Sequence, residues 1–394
     1  MINKYVLSPF TYIYIEKDKY IIGTIFDKGS ETVITDIKNI LPTKNLINKG
    51  IFIKRSQLEF IKNSYFNKLE DKFHCTPAKI GYIETTSICP YKCKMCPKNT
   101  NDLIRVENEM NFQLFKKIVD QLRQNEVTLH LFGDPFFDSD IYRKISYLNE
   151  KGIVPSFSTN LTSTTKIDFE KVKNININYL TISIDAIDVE LFSKIRGEID
   201  KKLFVNSFDK LNELIKISSE TKCIKHFILQ MIDLNVNAEH IHLIKEIVSK
   251  HNNCSFFQKQ FISFPTMENL EFHSENVFEG GEKLFIYQIL GKHFPFKCIK
   301  PWQKSEMGVL SDGSIVPCCL AFNSTFDIGN LNKNSLENIQ NSIDLKKFRY
   351  KIWNKEDVGE VCNKCTQFKT KIKHKLIPIE MVEYLNDYCI SSWN

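Results

Sequence analysis

The chain has 394 residues, with 53 Lys plus Arg against 47 Asp plus Glu, a formal net charge of +6. That excess is spread thinly with no concentrated basic stripe, so no nucleic-acid partner is expected, and the one basic run, Lys369 to Lys375, reads as a solvated face. No stretch approaches the roughly 18 uninterrupted apolar residues of a membrane span, and Met1-Ile2-Asn3-Lys4 lacks a signal peptide's basic start and long apolar core, so a cytoplasmic protein with no membrane contact is expected.

The length allows two or three units at roughly 100–200 residues per domain. Residues 1–75 contain the strand-like runs Tyr12–Ile15 and Tyr20–Ile25, then Leu46 to Ile53 interrupted by Gly50, and are read as a small α+β module. Residues 76–265 carry six further strand-like runs: Ile80–Thr85, Val127–Phe132, Val154–Ser158, Tyr179–Ile184, Ile224–Ile232 and Ser255–Phe261. Each is followed by a stretch of helical spacing, for example Phe112, Leu114, Phe115, Ile118, Val119 and Leu122 after the first. Repeated βα units predict an α/β fold whose parallel sheet curls, through right-handed crossovers, into a partial (β/α)6 barrel. Residues 266–297 are read as a linker, and 298–394 as a cysteine-rich domain.

Twelve cysteines are too many for an ordinary cytosolic enzyme and too scattered for a small disulfide scaffold, which leaves metal as the better explanation. Cys89, Cys93 and Cys96 follow the first strand, so they sit on the loop at its C-terminal end, the chemical end of an α/β barrel. Their C-x3-C-x2-C spacing can hold three irons of a four-iron cluster and leave the fourth open to a small molecule. Zinc is the competing reading, but it normally takes four closed ligands. In the C-terminal domain, Met307–Leu310 and Ile315–Pro317 bracket Ser311-Asp312-Gly313-Ser314, a tight-turn signal that predicts a hairpin. Cys298 and Cys318 flank that hairpin and Cys362-x2-Cys365 follows, a four-thiolate set for which iron–sulfur and zinc both satisfy the spacing. The spacing does not separate Cys318 from its neighbour Cys319. The single cysteines Cys75, Cys223, Cys254 and Cys389 are read as structural.

With these residues in view, the chain resembles the radical SAM superfamily, whose members use such a triplet to cleave S-adenosylmethionine into methionine and a 5′-deoxyadenosyl radical. The resemblance implies that Cys89, Cys93 and Cys96 hold a [4Fe-4S] cluster that binds S-adenosyl-L-methionine, with Tyr91 and Met95 of the same loop beside it. The family usually has an aromatic residue where Met95 stands. Phe132-Gly133-Asp134-Pro135 resembles the family's Gly-Gly-Glu-Pro segment, which implies that Gly133, Asp134 and Pro135 meet the amino group of the cofactor. Ser158 and Asn160, then Ser183 and Asp185, resemble the family's ribose contacts. Arg196, in Lys194-Ile195-Arg196-Gly197, resembles the arginine that pairs with the methionine carboxylate. Asn237-Ala238-Glu239 is similar to a weakly defined adenine-side element.

The stretch from Cys298-Ile299-Lys300-Pro301-Trp302 to Cys365 resembles the SPASM or shorter twitch extension of this superfamily, which implies one auxiliary [4Fe-4S] cluster on Cys298, Cys318, Cys362 and Cys365. Cys319 then becomes the candidate catalytic thiol, a hydrogen-atom donor facing the substrate cavity. An electron donor such as flavodoxin or ferredoxin is implied as a partner. The leading module is reminiscent of peptide maturases that crosslink, epimerise or oxidise a side chain. The alternatives are a dehydrogenase or epimerase of a sugar or aminocyclitol, and a non-catalytic iron–sulfur electron carrier.

Overall fold

The structure, a computed structural model, describes residues 5–7, 11–16, 19–24, 27–34, 41–57, 79–99, 105–234, 236–261, 288–289, 292–293, 307–323, 326, 328–353, 357–363 and 365. In the N-terminal module, β1 (Tyr5–Leu7) precedes β2 (Thr11–Glu16), β3 (Lys19–Thr24) and β4 (Asp27–Ile34), which form a three-stranded antiparallel sheet in that order. The run Leu46 to Ile53 divides in two. Its first half belongs to helix α1 (Lys44–Asn48), capped by the Thr43 hydroxyl accepting from the Leu46 N–H at 3.3 Å. Gly50, at φ +71°, turns the chain after the helix so that β5 (Phe52–Lys54) pairs antiparallel with β1.

The barrel strands are β6 (Tyr82–Ile83), β7 (Glu126–Thr128), β8 (Val154–Asn160), β9 (Ile177–Ser183), β10 (Ile224–Asp233) and β11 (Cys254–Gln260), each parallel to its neighbour. Between them lie α2 (Phe112–Val119), α3 (Ile141–Glu150), α4 (Phe169–Val172), α5 (Val189–Arg196) with α6 (Lys201–Thr221), and α7 (Ile241–Ser249). All six strand runs read from the sequence are present in order, and α2 buries Leu114, Phe115, Ile118 and Val119 as its spacing requires. Phe157, Leu180, Ile182, Phe227, Leu229 and Met231 point from the strands into the same core as those helix residues. By the two-residue period of a strand, Ser158, Thr181 and Gln230 face the other way, into the barrel interior.

The first two strands are shorter than their apolar runs, and the residues just beyond them are still bonded. Glu84 N–H donates to the Val309 carbonyl at 2.8 Å, and Ser158 N–H, just past the β7–β8 ladder, is taken by the His130 ring at 3.0 Å. The short β12 (Gln288–Ile289) and β13 (Lys292–His293) pair antiparallel with each other. The expected C-terminal hairpin is formed by β14 (Gly308–Val309) and β15 (Ile315–Val316), with Gly313 at φ +86° in its turn. This hairpin does not stand apart. β14 runs parallel to β6, pairing Gly308 with Tyr82 and Val309 with Ile83, so the sheet extends to eight strands in the order β11-β10-β9-β8-β7-β6-β14-β15. Met307, Val309, Leu310, Ile315 and Val316 share the barrel's core. Helices α8 (Leu336–Gln340), α9 (Ile343–Trp353) and α10 (Glu360–Asn363) follow, α8 docked on the barrel through Leu336 N–H to Gln121 Oε1 at 2.7 Å and Gln340 Nε2 to the Lys79 carbonyl at 3.2 Å. Among the described residues no helix is long and apolar enough to cross a membrane.

Candidate active site

The loop of Cys89, Cys93 and Cys96 leaves the C-terminal end of β6 and is braced by its own backbone and by the Lys98 and Asn99 side chains. Cys96 N–H donates to Cys93 O at 3.1 Å, Asn99 Nδ2 donates to Cys93 O at 3.1 Å, and Lys98 Nζ binds Cys89 O while pairing with Glu107 at 2.7 Å. Cys93 and Met95 pack with Ile195, Leu234 and Phe261, with Tyr91 and Cys96 at the margin of that cluster. Burial pushes the Cys89 thiol up to about 12, with Asp134 adding to the effect, and burial pushes Cys96 up to about 11. Loading metal here must therefore displace protons from these sulfurs. Among the described residues, no three His, Cys, Asp or Glu side chains converge on a point that could hold one metal ion. A four-iron cluster gives each thiolate its own iron, so this spacing fits a cluster better than a single zinc.

Above the loop lies the turn after β7. A Cβ on Gly133 would stand 2.0 Å from the Thr86 carbonyl oxygen and 2.9 Å from the Ser87 Cα, so only glycine allows the two backbones to meet here. The Asp134 N–H donates to Ile88 O at 3.0 Å and completes the join. Gly133→Ala is expected to push this turn off the cysteine loop, lowering the iron retained after anaerobic reconstitution to about half of the roughly eight atoms in two clusters. Full iron content in that variant would show that the close approach is dispensable.

The sequence-derived site residues fall into two groups. Asp134 turns inward: its carboxylate accepts from Thr159 Oγ1 at 2.8 Å, Asn160 N–H at 2.9 Å, Ser163 Oγ at 2.7 Å and Phe136 N–H at 3.2 Å, and burial raises its pKa. It thus locks the end of β8 and leaves backbone groups at the turn for a ligand. With its proton given to Asp134, Ser163 Oγ accepts from the Tyr91 hydroxyl at 3.1 Å. Asp185 and Arg196 likewise engage each other, with Arg196 Nε and NH2 on Asp185 Oδ2, while Asp185 Oδ1 accepts from Ile232 N–H at 2.7 Å. Arg196 NH1 reaches Cys93 Sγ at 3.6 Å, which brings the arginine to the cysteine loop. Asn237 is a structural tie, its Nδ2 donating to the carbonyls of Asp185 and Ile232, each at 2.9 Å.

Asn160 behaves differently. Its Oδ1 accepts from Thr162, but its Nδ2 is buried without a hydrogen-bond partner, and Asn160 stands beside Ser183 in the β8–β9 register. A buried amide left unsatisfied is costly, so this donor fits a polar ligand such as a ribose.

Sequence reading missed the charged residues that join these parts. Glu84, fully buried at the end of β6, is gripped by Arg105 and accepts from Phe132 N–H at 3.2 Å and Ser311 N–H at 3.0 Å. Arg105 Nε also donates to Phe322 O at 2.7 Å, tying the cysteine loop, the Gly133 turn and the C-terminal hairpin together. Lys144, also fully buried, holds Asp138 Oδ2 at 2.6 Å and the Thr85 carbonyl at 3.4 Å. The available signal was a charged residue within an apolar run, such as Glu84 after Ile83.

Of the auxiliary set, Cys298 lies outside the described residues. Cys318 and Cys362 both pack against the main core, and Cys365 N–H lies 3.4 Å from Cys362 O. Cys319 acts electrostatically on Lys259 of β11. Cys223 and Cys254 stand at the far ends of β10 and β11, while Cys75 and Cys389 lie outside the described residues.

A braced three-thiol loop at the C-terminal mouth of a parallel half-barrel defines an iron–sulfur α/β protein. The radical SAM superfamily model matches residues 83–244, and the SPASM model, an iron-sulfur cluster-binding domain, matches residues 298–366. The chain belongs to the radical SAM superfamily and carries a C-terminal SPASM domain, which together imply a [4Fe-4S] cluster, S-adenosylmethionine and an auxiliary cluster. Among curated proteins it is similar to the Fe-coproporphyrin III synthase of Methanosarcina barkeri, 32% identical over 114 residues, 28% of each chain. It is also similar to the AdoMet-dependent heme synthase of Nitratidesulfovibrio vulgaris, 27% identical over 116 residues, 29% of this chain and 31% of that one. The match thus spans less than a third of these relatives. Among solved structures it is similar to anSMEcpe with bound AdoMet (TM-score 0.49, 13% identity, 79% of this chain and 92% of that one) and to Streptococcus suis SuiB bound to precursor peptide SuiA (TM-score 0.40, 14% identity, 87% and 90%).

Proposed function

We propose that this radical SAM enzyme is a peptide maturase that modifies a side chain of a genetically encoded peptide. The observation that supports this reading is the N-terminal β2-β3-β4 sheet, which among the described residues ends at β2 and β4. An edge strand such as β2 suits an extended peptide, which adds to a sheet by main-chain hydrogen bonds. In this reading residues 1–75 bind the peptide, 76–265 perform the chemistry, 266–297 link, and 298–394 carry the auxiliary cluster. The cluster and S-adenosylmethionine, when bound, supply a 5′-deoxyadenosyl radical that removes a hydrogen atom from substrate.

The chain's own groups hold and orient. Cys89, Cys93 and Cys96 hold the first cluster, and Cys298, Cys318, Cys362 and Cys365 hold the auxiliary one. Tyr91, Met95 and the backbone of Gly133-Asp134-Pro135 line the cofactor, with Asn160 Nδ2, Ser158 and Ser183 toward the ribose. Arg196 faces the methionine carboxylate with NH1 while Asp185 fixes its plane. Cys319 stands on the substrate side, away from the core where Cys318 packs, and is the hydrogen donor if the outcome is epimerisation.

Arg196→Ala should weaken S-adenosylmethionine binding by about tenfold or more, because a charge-assisted contact is lost and Asp185 is left without its partner. Calorimetric affinity equal to that of the parent would restrict Arg196 to a structural pair with Asp185. The peptide reading itself is tested by incubating the reduced enzyme with peptides encoded beside its gene. A substrate mass change, or an l-to-d conversion at unchanged mass, with 5′-deoxyadenosine supports it. A second reading, a small organic substrate, is supported by the names of the curated relatives and extends to a sugar or aminocyclitol; turnover of such a molecule and of no peptide would establish it.

A further inference from the structure

The barrel mouth contains a cation that the site described above leaves unused. Lys259 stands opposite Ile232 in the β10–β11 register, on the face that looks into the barrel, and is half-buried. Its ammonium is within electrostatic reach of Asp185, Arg196 and Cys319, and burial lowers its pKa. Asp185 is already consumed by Arg196 and by the Ile232 N–H, and among the described residues no carboxylate pairs with Lys259. The Asp185–Arg196 pair is neutral as a whole, so it does not compensate Lys259.

From the other side of the interior comes His130. Its Nδ1 accepts the Ser158 N–H at 3.0 Å, which places the proton of the neutral ring on Nε2. Burial, and then the nearby Lys259 charge, push this imidazole down to about 4, so it is a neutral donor at physiological pH. Nε2 has no protein partner among the described residues. Between the two elements, Gln230 projects from β10 on the same face, one inward position before Ile232, and its amide also has no partner among the described residues. One cation and two neutral donors thus face the barrel interior from β11, β10 and the end of β7, with no carboxylate bound to any of them among the described residues. Uncharged substrates do not require a partly desolvated ammonium, whereas a carboxylate compensates it and accepts from the two donors as well.

We infer that Lys259 and His130, with Gln230 between them, form a substrate anchor that takes a carboxylate, such as an Asp or Glu side chain or a chain terminus, beside Cys319. The inference rests on the peptide reading and adds which kind of substrate group the barrel interior receives.

The test uses the reconstituted full-length protein and follows carbamylation of Lys259 by cyanate with mass spectrometry, against exposed Lys250 as an internal reference. N-acetyl-glutamate methylamide should protect Lys259 saturably and leave Lys250 unprotected, while N-acetyl-glutamine methylamide should not protect. Protection should persist with S-adenosylmethionine already bound, and His130→Phe should raise the protecting concentration about tenfold, the loss of one hydrogen bond to a charged group. Equal protection by the two amides, protection by inorganic phosphate alone, or an unchanged requirement in His130→Phe would overturn the anchor. So would complete protection by S-adenosylmethionine alone, which would assign Lys259 to that cofactor. The same samples, reduced with dithionite, report 5′-deoxyadenosine; its absence would sink the enzymatic reading, whereas the protection pattern judges the anchor separately.

Discussion

Replacing Cys89, Cys93 and Cys96 together with Ala is expected to leave roughly four irons of the roughly eight held by the parent protein, and to abolish 5′-deoxyadenosine formation. The three thiols sit on a loop braced by Lys98 and Asn99 and bonded through Asp134 N–H to Ile88 O, none of which depends on the sulfurs. The loop should therefore persist while its metal is lost. The auxiliary cysteines lie on other segments, Cys318 and Cys362 against the main core, so their cluster should remain. Iron analysis with electron paramagnetic resonance of the reduced protein checks both halves. Residual S-adenosylmethionine cleavage by the triple variant would mean that the loop is not the cofactor site.

The second large effect is expected for Lys144→Met. Lys144 and Asp138 are both fully buried, and removing the cation strands a carboxylate with no water to solvate it, a loss of about 3–5 kcal/mol. For a chain of this size the melting temperature should fall by about 10 °C. Burial already raises the Asp138 pKa even with Lys144 opposing it, and without Lys144 it must rise further. The sign follows: a carboxylate whose folded-state pKa lies above its unfolded value of about 3.9 binds protons more tightly when folded. Its cost is absent below that pH and grows as pH rises through the folded-state pKa. The gap between Lys144→Met and parent should therefore be widest near neutrality and close toward pH 4. A gap that stayed constant from neutrality to pH 4 would show that lost packing, rather than a stranded charge, destabilises the variant. Because Lys144 also holds the Thr85 carbonyl, iron loading should fall with stability.

The parts of this molecule that were legible in the sequence are those set by local period. Alternating apolar runs marked β8 to β11, the Phe112 spacing marked α2, and Asp312-Gly313 marked the hairpin turn. Chain ends of elements were less legible, since the bonds beside them, Glu84 N–H to Val309 O and Ser158 N–H to the His130 ring, join residues that no window of sequence contains. The same reason hid the place of the hairpin, which continues the barrel sheet beside β6. In the site, residue types were legible and partners were not. Asp134, Asp185 and Arg196 stand in the motif, yet two of them bind each other and the third closes on β8. Glu84 stands in an apolar run that signals burial, but its partner Arg105, and the Asp138–Lys144 pair, are revealed only by the folded chain.

The most direct measurement of the central claim is single-turnover chemistry. Anaerobically reconstituted parent protein, given S-adenosylmethionine and dithionite, should form 5′-deoxyadenosine and methionine in equal amounts, and formation should cease when Cys93 alone is replaced by Ala. An iron-loaded, folded protein that forms neither product would contradict the account.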